Sequence, residues 1–409
     1  MRRSLWWLLA SLYTTQTIAL MFFVGAFVAI LLEQGGSMEQ VSQVYMLGMV
    51  WPFKFLWAPL VDRIRFGRLG HYRGWLILMQ AGMVLSLLAL ARFDPASEFG
   101  SIYALCLLIA FLSATQDVAA DGLACTLLPA DLRAHGNALQ IAGGLVGTLL
   151  GAGVVLIAYR HVGWAGSMYI MAAATGVSWV QLLFHHEPRQ PRAATRAVQV
   201  VLRFWTLWRQ PGWPAWLAIV LFYTAGSGLA YAVMTPMLVE AGWTLERIGL
   251  MLNVLGPLAG TLATFATGWL IVRFGRRRLL VGAAVLQLLG IGAVALPLWA
   301  APQDSALSFA VIVYFLCYNP AAVVLATLMM DRVSAQTPAT DYTLQFSLNQ
   351  FVAFGAISAG AALAAQLGYG GVLALAGAAG LAAVALALVY RVPAVTAVPA
   401  PAPTLEAQP

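Results

Sequence analysis

Long apolar runs alternate with short polar segments along the whole chain. A helix that crosses a membrane needs about 20 mostly apolar residues, and twelve runs are close to or above that length. They cover roughly residues 5–32, 41–60, 74–91, 101–128, 134–159, 164–184, 213–239, 247–272, 279–300, 306–330, 342–367 and 371–390. The pattern predicts an all-α integral membrane protein with 12 transmembrane helices.

Composition agrees with this prediction, because 61% of the residues are hydrophobic and only 9% are charged. The net charge of +7 could suggest a nucleic-acid partner, but the positions of the basic residues argue against one. Eighteen of the 22 basic residues fall at alternate ends of the spans. By the positive-inside rule these ends are cytoplasmic. We therefore expect a multi-pass protein of the bacterial inner membrane with both termini in the cytoplasm.

An Arg-rich segment at residues 185–212 divides the predicted spans into six and six. We predict a six-helix bundle over residues 1–184, a cytoplasmic linker, a second bundle over 213–391 and a disordered cytoplasmic tail over 392–409. Two short matches support an internal repeat: APLVDRIRFGR at 58–68 with GWLIVRFGRR at 268–277, and ALQ at 138–140 with TLQ at 343–345. Their offsets are nearly the same, as in 6+6 transporters built from parallel repeats.

Two carboxylates lie within the fourth predicted span, Asp117 and Asp121. Residues four apart share one helix face, and a charged side chain at the bilayer centre costs about 3 kcal/mol or more. Both acids must therefore face protein or a watery cavity. Lys54, the chain's single lysine, lies within the second span. It precedes Asp62 by eight residues, about 12 Å along a helix, and Asp121 precedes Pro129 by the same distance.

The loops after spans two and eight resemble the Gly-x-x-x-Asp-Arg-x-Gly-Arg-Arg signature of the major facilitator superfamily. Ala58 replaces the first glycine, two extra residues precede Gly67, and Val272 stands where the second copy would have its acid. Segments 53–63 and 114–121 resemble sequences of one branch of this superfamily. The branch contains the RhtX/FptX siderophore permeases and the related AmpG muropeptide permeases. Twelve spans and a short polar tail fit the siderophore members, and the chain most resembles the FptX type, which imports ferric pyochelin.

The resemblance implies the 6+6 pseudo-symmetric major facilitator fold and an alternating-access mechanism. It assigns the signature loops to a cytoplasmic gate, with Asp62, Arg63, Arg273 and Arg276. Spans one, four, seven and ten would line the central cavity. The candidate substrate-binding residues are Gln16, Gln116, Tyr223, Tyr231, Tyr318 and Asn319, together with Gln140 and Gln345 from the repeat.

If span two packs near span four, Lys54 can neutralise one of the two acids but not both. The other would then be a candidate proton carrier, so we predict that Lys54, Asp117 and Asp121 couple transport to protons. The alternative is a static buried network in which Gln116 completes the hydrogen bonds. In span five, Gly147-x-x-x-Gly151 is a motif that permits close helix contact.

The predicted function is secondary active import of a ferric siderophore, driven by protons. Muropeptide import and export of a drug or metabolite stay open as alternatives. We expect a monomer in the lipid bilayer, with ferric siderophore and protons as partners, no nucleic acid, and neither a cofactor nor a resident metal. An enzyme is not expected, because no HExxH pair, phosphate-binding loop or Gly-x-Ser-x-Gly elbow occurs.

Overall fold

The computed structural model describes residues 3–188, 207–209, 212–298 and 304–392. All regular elements within these ranges are helices. Nine of the described helices are long and apolar enough to cross a membrane. They are Arg3–Glu33, Tyr72–Leu90, Phe99–Leu127, Arg133–Phe184, Trp213–Glu240, Glu246–Phe274, Arg276–Leu298, Asp304–Asp331 and Pro338–Val389. The prediction of an all-α membrane protein is confirmed.

Two of these nine helices, each 52 residues long, contain a glycine that reverses the chain. Gly163 has φ +68° and Gly368 has φ +66°, a backbone region that favours glycine. The Ser167 hydroxyl reaches the Val155 carbonyl across the first turn. Ala356 precedes the second turn and lies next to Gly228, while Gly380 follows the turn and lies next to Gly226 of the same neighbouring helix. Each long helix is therefore two antiparallel spans.

A further span, residues 38–63, consists of short helical pieces: Met38–Met46, Leu47–Met49, Val50–Phe53, Lys54–Leu56 and Ala58–Arg63. Pro52 and Pro59 lie in this segment and cannot donate a backbone hydrogen bond. Counting this segment and the two reversals, the structure is consistent with twelve spans. We number them α1 (Arg3–Glu33), α2 (38–63), α3 (Tyr72–Leu90), α4 (Phe99–Leu127), α5 (133–162), α6 (164–184), α7 (Trp213–Glu240), α8 (Glu246–Phe274), α9 (Arg276–Leu298), α10 (Asp304–Asp331), α11 (338–367) and α12 (369–389).

The internal repeat also appears in the turns. Three pairs of glycines with positive φ are separated by 205 to 208 residues: Gly35 and Gly242, Gly67 and Gly275, and Gly163 and Gly368. The offset matches that of the two sequence repeats. We call α1–α6 the first half and α7–α12 the second half. Of the predicted linker 185–212, residues 189–206, 210 and 211 lie outside the described residues, as does the predicted tail beyond 392. The domain boundaries stay predictions.

The glycine face of α5 packs directly on α1. A Cβ atom on Gly151 would collide with the backbone of Ile18, and one on Gly147 with the carbonyl of Thr14. The same atom on Gly153 would meet no heavy atom within 4 Å. The close helix contact predicted from Gly147-x-x-x-Gly151 is thus confirmed.

Gly151→Ala is therefore expected to lower the free energy of unfolding by about 1–3 kcal/mol, because overpacking forces α5 away from α1. Gly153→Ala is the matched control and should change stability little or raise it, since alanine favours helix by about 1 kcal/mol over glycine. Thermal unfolding of the two purified variants in detergent measures the difference. Equal effects of the two substitutions would contradict this account of the packing.

Candidate functional site

Lys54 of α2 forms a buried ion pair with Asp117 of α4. Lys54 is 0% exposed and Asp117 is 5% exposed. The lysine Nζ donates to Oδ2 of Asp117, while Oδ1 of the same carboxylate has no hydrogen-bond donor among the described residues. Lys54 Nζ also lies 4.8 Å from the ring centroid of Phe346 in α11. The cation therefore contacts both halves of the molecule.

Asp121 lies one helical turn from Asp117 and is fully buried. Its Oδ1 accepts a hydrogen bond of 3.0 Å from Nε2 of Gln140 in α5. Its Oδ2 has no hydrogen-bond donor among the described residues. The hydroxyl of Tyr13 in α1 is also buried without a hydrogen-bond partner in the described part of the chain. Within the described ranges Asp121 forms no ion pair, so its charge is uncompensated whenever Asp117 holds the lysine.

Helix α11 of the second half closes the cluster. The Tyr342 hydroxyl lies 3.4 Å from Oδ1 of Asn137 and 3.5 Å from Oε1 of Gln140. The Tyr342 ring stacks on Phe346 with 5.9 Å between centroids. We call Lys54, Asp117, Asp121, Gln140 and Tyr342 the charged cluster.

This arrangement can bind and release a proton. One buried site holds two carboxylates and a single cation, so one added proton leaves the cluster electrically neutral. The contacts of Gln140 with Tyr342 and of Lys54 with Phe346 join the halves at the same place. Charge and packing are therefore linked at this place.

Several predicted cavity residues form contacts within one half. Gln116 donates to the Leu12 carbonyl at 3.2 Å and to Thr15 Oγ1 at 3.0 Å, both in α1. The backbone carbonyl of Gln16 accepts from Ser113, and its side-chain Oε1 is buried without a donor in the described chain. Their role in substrate binding stays a prediction.

In the second half, Tyr223 donates to the carbonyl of Leu280 at 2.9 Å and is buried. Gln345 accepts from Nε1 of Trp216 at 2.9 Å and donates to the backbone. Asn319 packs against α8, where it occupies the space left by Gly260. Substrate binding by these three residues also stays a prediction.

An aromatic cluster joins α7 and α10. Tyr314 stacks on Tyr318 at 5.8 Å between centroids and lies 6.2 Å from Tyr231. Phe315 meets the Tyr231 ring edge on. Tyr231 and Tyr318 are partly exposed, whereas Tyr314 is buried. Two of the predicted ligand residues are thus brought together with accessible ring surface.

Asp62 attaches the first half to the start of α11. Its Oδ2 accepts from the backbone N–H of Thr340 at 2.7 Å, and its Oδ1 accepts from Ala339 N–H at 3.3 Å and from the Tyr72 hydroxyl at 2.6 Å. A carboxylate at a helix N-terminus is stabilised by the free N–H groups and the helix dipole. Arg63, the other predicted gate residue of this loop, is exposed.

A second bridge joins the halves at the same face. Asp331 of α10 accepts from Arg133 of α5 at 2.8 Å and also pairs with Arg276. Arg276 donates in addition to the carbonyl of Ala130 in the first half at 2.6 Å. Arg273 is exposed and lies over the Trp269 ring at 5.2 Å. The sequence pattern predicts a gate role for Arg276, which stays a prediction, and gives no signal for this bridge. Arg133 begins α5 and Asp331 ends α10, both on the arginine-rich side.

Asp331→Ala should lower the free energy of unfolding by about 3 kcal/mol, because it leaves two largely buried arginines without their carboxylate. Asp304→Ala is the matched control, since Asp304 pairs with Arg247 on the exposed surface. It should have little effect, as for most surface ion pairs. Thermal unfolding of both variants tests this, and a control as damaging as Asp331→Ala would contradict the buried bridge.

Comparison with known proteins agrees with this architecture. The family model described as "Major Facilitator Superfamily" matches residues 5–357. The anhydromuropeptide permease of Escherichia coli K12 is 30% identical over 257 residues, which cover 61% of this chain and 52% of the permease. The matched region thus spans about half the length of that relative.

Two solved structures share the fold at low identity. The human organic anion transporter MFSD10 superposes with a TM-score of 0.72 at 16% identity, covering 94% of this chain and 99% of that one. A bacterial homologue of the iron transporter ferroportin, in an outward-facing state, gives 0.70 at 15% identity, covering 95% and 99%. With the family match over most of its length and this twelve-span architecture, the chain belongs to the major facilitator superfamily.

Proposed function

We propose that this membrane transporter is a proton-coupled importer that works by alternating access. The charged cluster carries the proposal, because a buried site that can change its charge lies where the two halves meet. A proton can shift a conformational equilibrium only as far as it binds one conformation better than the other. Lys54 and Gln140 supply such a difference, since each contacts α11 while also holding one of the acids.

The bridges of Asp62 and of Asp331 hold the halves together at one face, and the polar contacts between the halves described above lie there or at the charged cluster. We assign this arginine-rich face to the cytoplasm of a bacterial inner membrane, with both termini on that side. The described conformation would then be closed toward the cytoplasm and ready to receive substrate from outside. We also propose that the protein consists of two six-helix domains, acts as a monomer and needs no cofactor.

A ferric siderophore of the pyochelin class is the first candidate substrate. The resemblance to siderophore permeases favours it, and the aromatic cluster of Tyr231, Tyr314 and Tyr318 offers ring faces to a phenolic chelate. The iron would travel as part of the cargo. Gln16, Gln116, Tyr223, Asn319 and Gln345 would contribute in conformations where the halves have moved.

An anhydromuropeptide is the second candidate. The sequence identity of 30% to a permease for such compounds favours it. Its sugar and peptide groups would need hydrogen-bonding partners, and the amides of spans one, four and eleven could supply them.

Uptake by spheroplasts separates the two substrates. Cells lacking the protein, with and without its restoration, are offered radiolabelled ferric pyochelin or a labelled anhydromuropeptide, and accumulation is followed with and without a protonophore. We expect protein-dependent, protonophore-sensitive uptake of ferric pyochelin. Uptake of the muropeptide alone would transfer the assignment to the second candidate, and uptake of neither would overturn both.

A further inference from the structure

Helix α11 carries a row of polar atoms that lack partners. Thr340 Oγ1, Thr343 Oγ1, Ser347 Oγ and Gln350 Oε1 are all buried without a hydrogen bond within the described part of the chain. The first three side chains are at most 1% exposed. Spacings of three, four and three residues put the four on one helix face, over a length of about 15 Å. We call these four residues the hydroxyl stripe.

The stripe faces the first half of the molecule. Residues next to it on the helix surface show this: Ala339 lies against Gly122 of α4, Phe346 lies over Lys54, and Phe351 packs edge on against Phe53 at 5.3 Å. Helix α4 ends at the arginine-rich face and α11 begins there, so the two run antiparallel. With Gly122 opposite Ala339, Asp121 is level with Thr340, and Asp117 is level with the turn that contains Thr343.

Packing alone does not explain such a row. A buried polar atom without a partner destabilises the folded state, and most such atoms in proteins bind protein groups or ordered water. Two more orphan acceptors, Oδ1 of Asp117 and Oδ2 of Asp121, lie at the same level. Hydroxyls and carboxylates that line one seam are suitable partners for water molecules, each of which needs two to four of them.

Both ends of the stripe lead to other polar groups. At one end, the N–H of Thr340 donates to Asp62, which also accepts from the Tyr72 hydroxyl near the arginine-rich face. At the other end, Gln350 is partly exposed, about 10 Å beyond Thr343. The acids of the charged cluster therefore lie beside the Thr340–Thr343 part of a polar seam that begins at Asp62 and Tyr72 and continues to Gln350.

We propose that Thr340 and Thr343, the first two residues of the hydroxyl stripe, form the route by which protons travel between the acids Asp117 and Asp121 and the Asp62 end of the seam. The inference rests on the proposed proton coupling and names the residues that serve it. Thr340 and Thr343 would position water and pass protons without changing their own charge. The other titratable groups near this route are Tyr13, Tyr342, Tyr72, Cys125 and Lys54.

The test follows proton arrival at the carboxyls and needs no substrate. The full-length chain in lipid is acidified rapidly, and the infrared C=O band of newly protonated carboxyl groups is recorded with time. Asp117→Asn and Asp121→Asn identify the bands. Thr343→Val, which keeps shape but removes the hydroxyl, should slow protonation about tenfold through the loss of one hydrogen bond along the path. Thr340→Val should act in the same direction, while its backbone N–H still donates to Asp62.

Two variants serve as controls. Thr343→Ser keeps the hydroxyl and should protonate at the native rate. Thr261→Val removes a buried hydroxyl that lacks a partner among the described residues, on α8 and away from the stripe, and should also leave the rate unchanged. Native rates in both Thr343→Val and Thr340→Val would overturn the route while leaving proton coupling intact. Absence of any band from Asp117 or Asp121 would overturn the coupling itself, and the route with it.

Discussion

Replacing Lys54 with methionine is expected to destabilise the protein by about 3–5 kcal/mol, because it leaves the buried Asp117 carboxylate without its cation. Methionine keeps most of the side-chain length, so lost packing contributes little. The loss should be visible in the thermal or denaturant unfolding of the purified variant. Transport should disappear as well, since the ammonium is the group that links Asp117 to α11 through Phe346.

The double variant Lys54→Met, Asp117→Asn separates charge from shape. Removing both charges of a buried pair is often close to neutral for stability, so the double variant should recover most of the lost free energy but not proton-driven transport. A double variant whose loss equals the sum of the two single losses would show that the residues do not interact. That result would contradict the ion pair.

Asp121→Asn should abolish accumulation against a gradient while leaving exchange of labelled substrate across the membrane. The amide oxygen of asparagine can still accept from Gln140, so the fold should be kept. The asparagine side chain cannot take up a proton as the carboxylate does. If one proton crosses with each solute, a pH difference of one unit drives about tenfold accumulation in the native protein and none in the variant. Proteoliposomes with an imposed pH gradient give both quantities.

Asp131→Asn is the matched control, because Asp131 is an exposed acid ten residues along the chain from Asp121. It should accumulate substrate as the native protein does. Tenfold accumulation by Asp121→Asn would show that this carboxyl does not carry the coupling proton.

Local signals predicted much of the architecture. Apolar runs of membrane length, arginines at alternate ends and the repeat offset indicated twelve spans in two similar halves. Lys54 and Asp121 lie at equal depths, so the lysine can neutralise one of the two acids if α2 packs near α4, as the resemblance implies. The structure pairs the lysine with Asp117, one turn away, and leaves Asp121 to Gln140.

Partners from distant parts of the chain were not predictable in this way. Tyr342 and Phe346 join the cluster because α11 crosses α4 and α2, which depends on the packing of the whole second half. The repeat also misleads about Gln345: its counterpart Gln140 binds Asp121, but the position equivalent to Asp121 in the second half is Ala326. Without a carboxylate there, Gln345 binds Trp216.

The predicted gate residues show the same division. The signature loop drew attention to Asp62, and the structure shows that it binds the free N–H groups at the start of α11. Asp331 and Arg133 lie outside the signature, and their bridge arises only because the ends of α5 and α10 meet in space. The offset of about 205 residues gives no indication of such cross-half contacts.

Solute-driven proton movement into proteoliposomes tests the central claim most directly. Vesicles containing a pH-sensitive dye receive ferric pyochelin in one experiment and an anhydromuropeptide in another, without an imposed gradient. We predict internal acidification with one of the two solutes in the native protein, and none in Asp121→Asn. Uptake of a labelled solute without any accompanying acidification, or equal acidification by native protein and variant, would contradict proton coupling through the charged cluster.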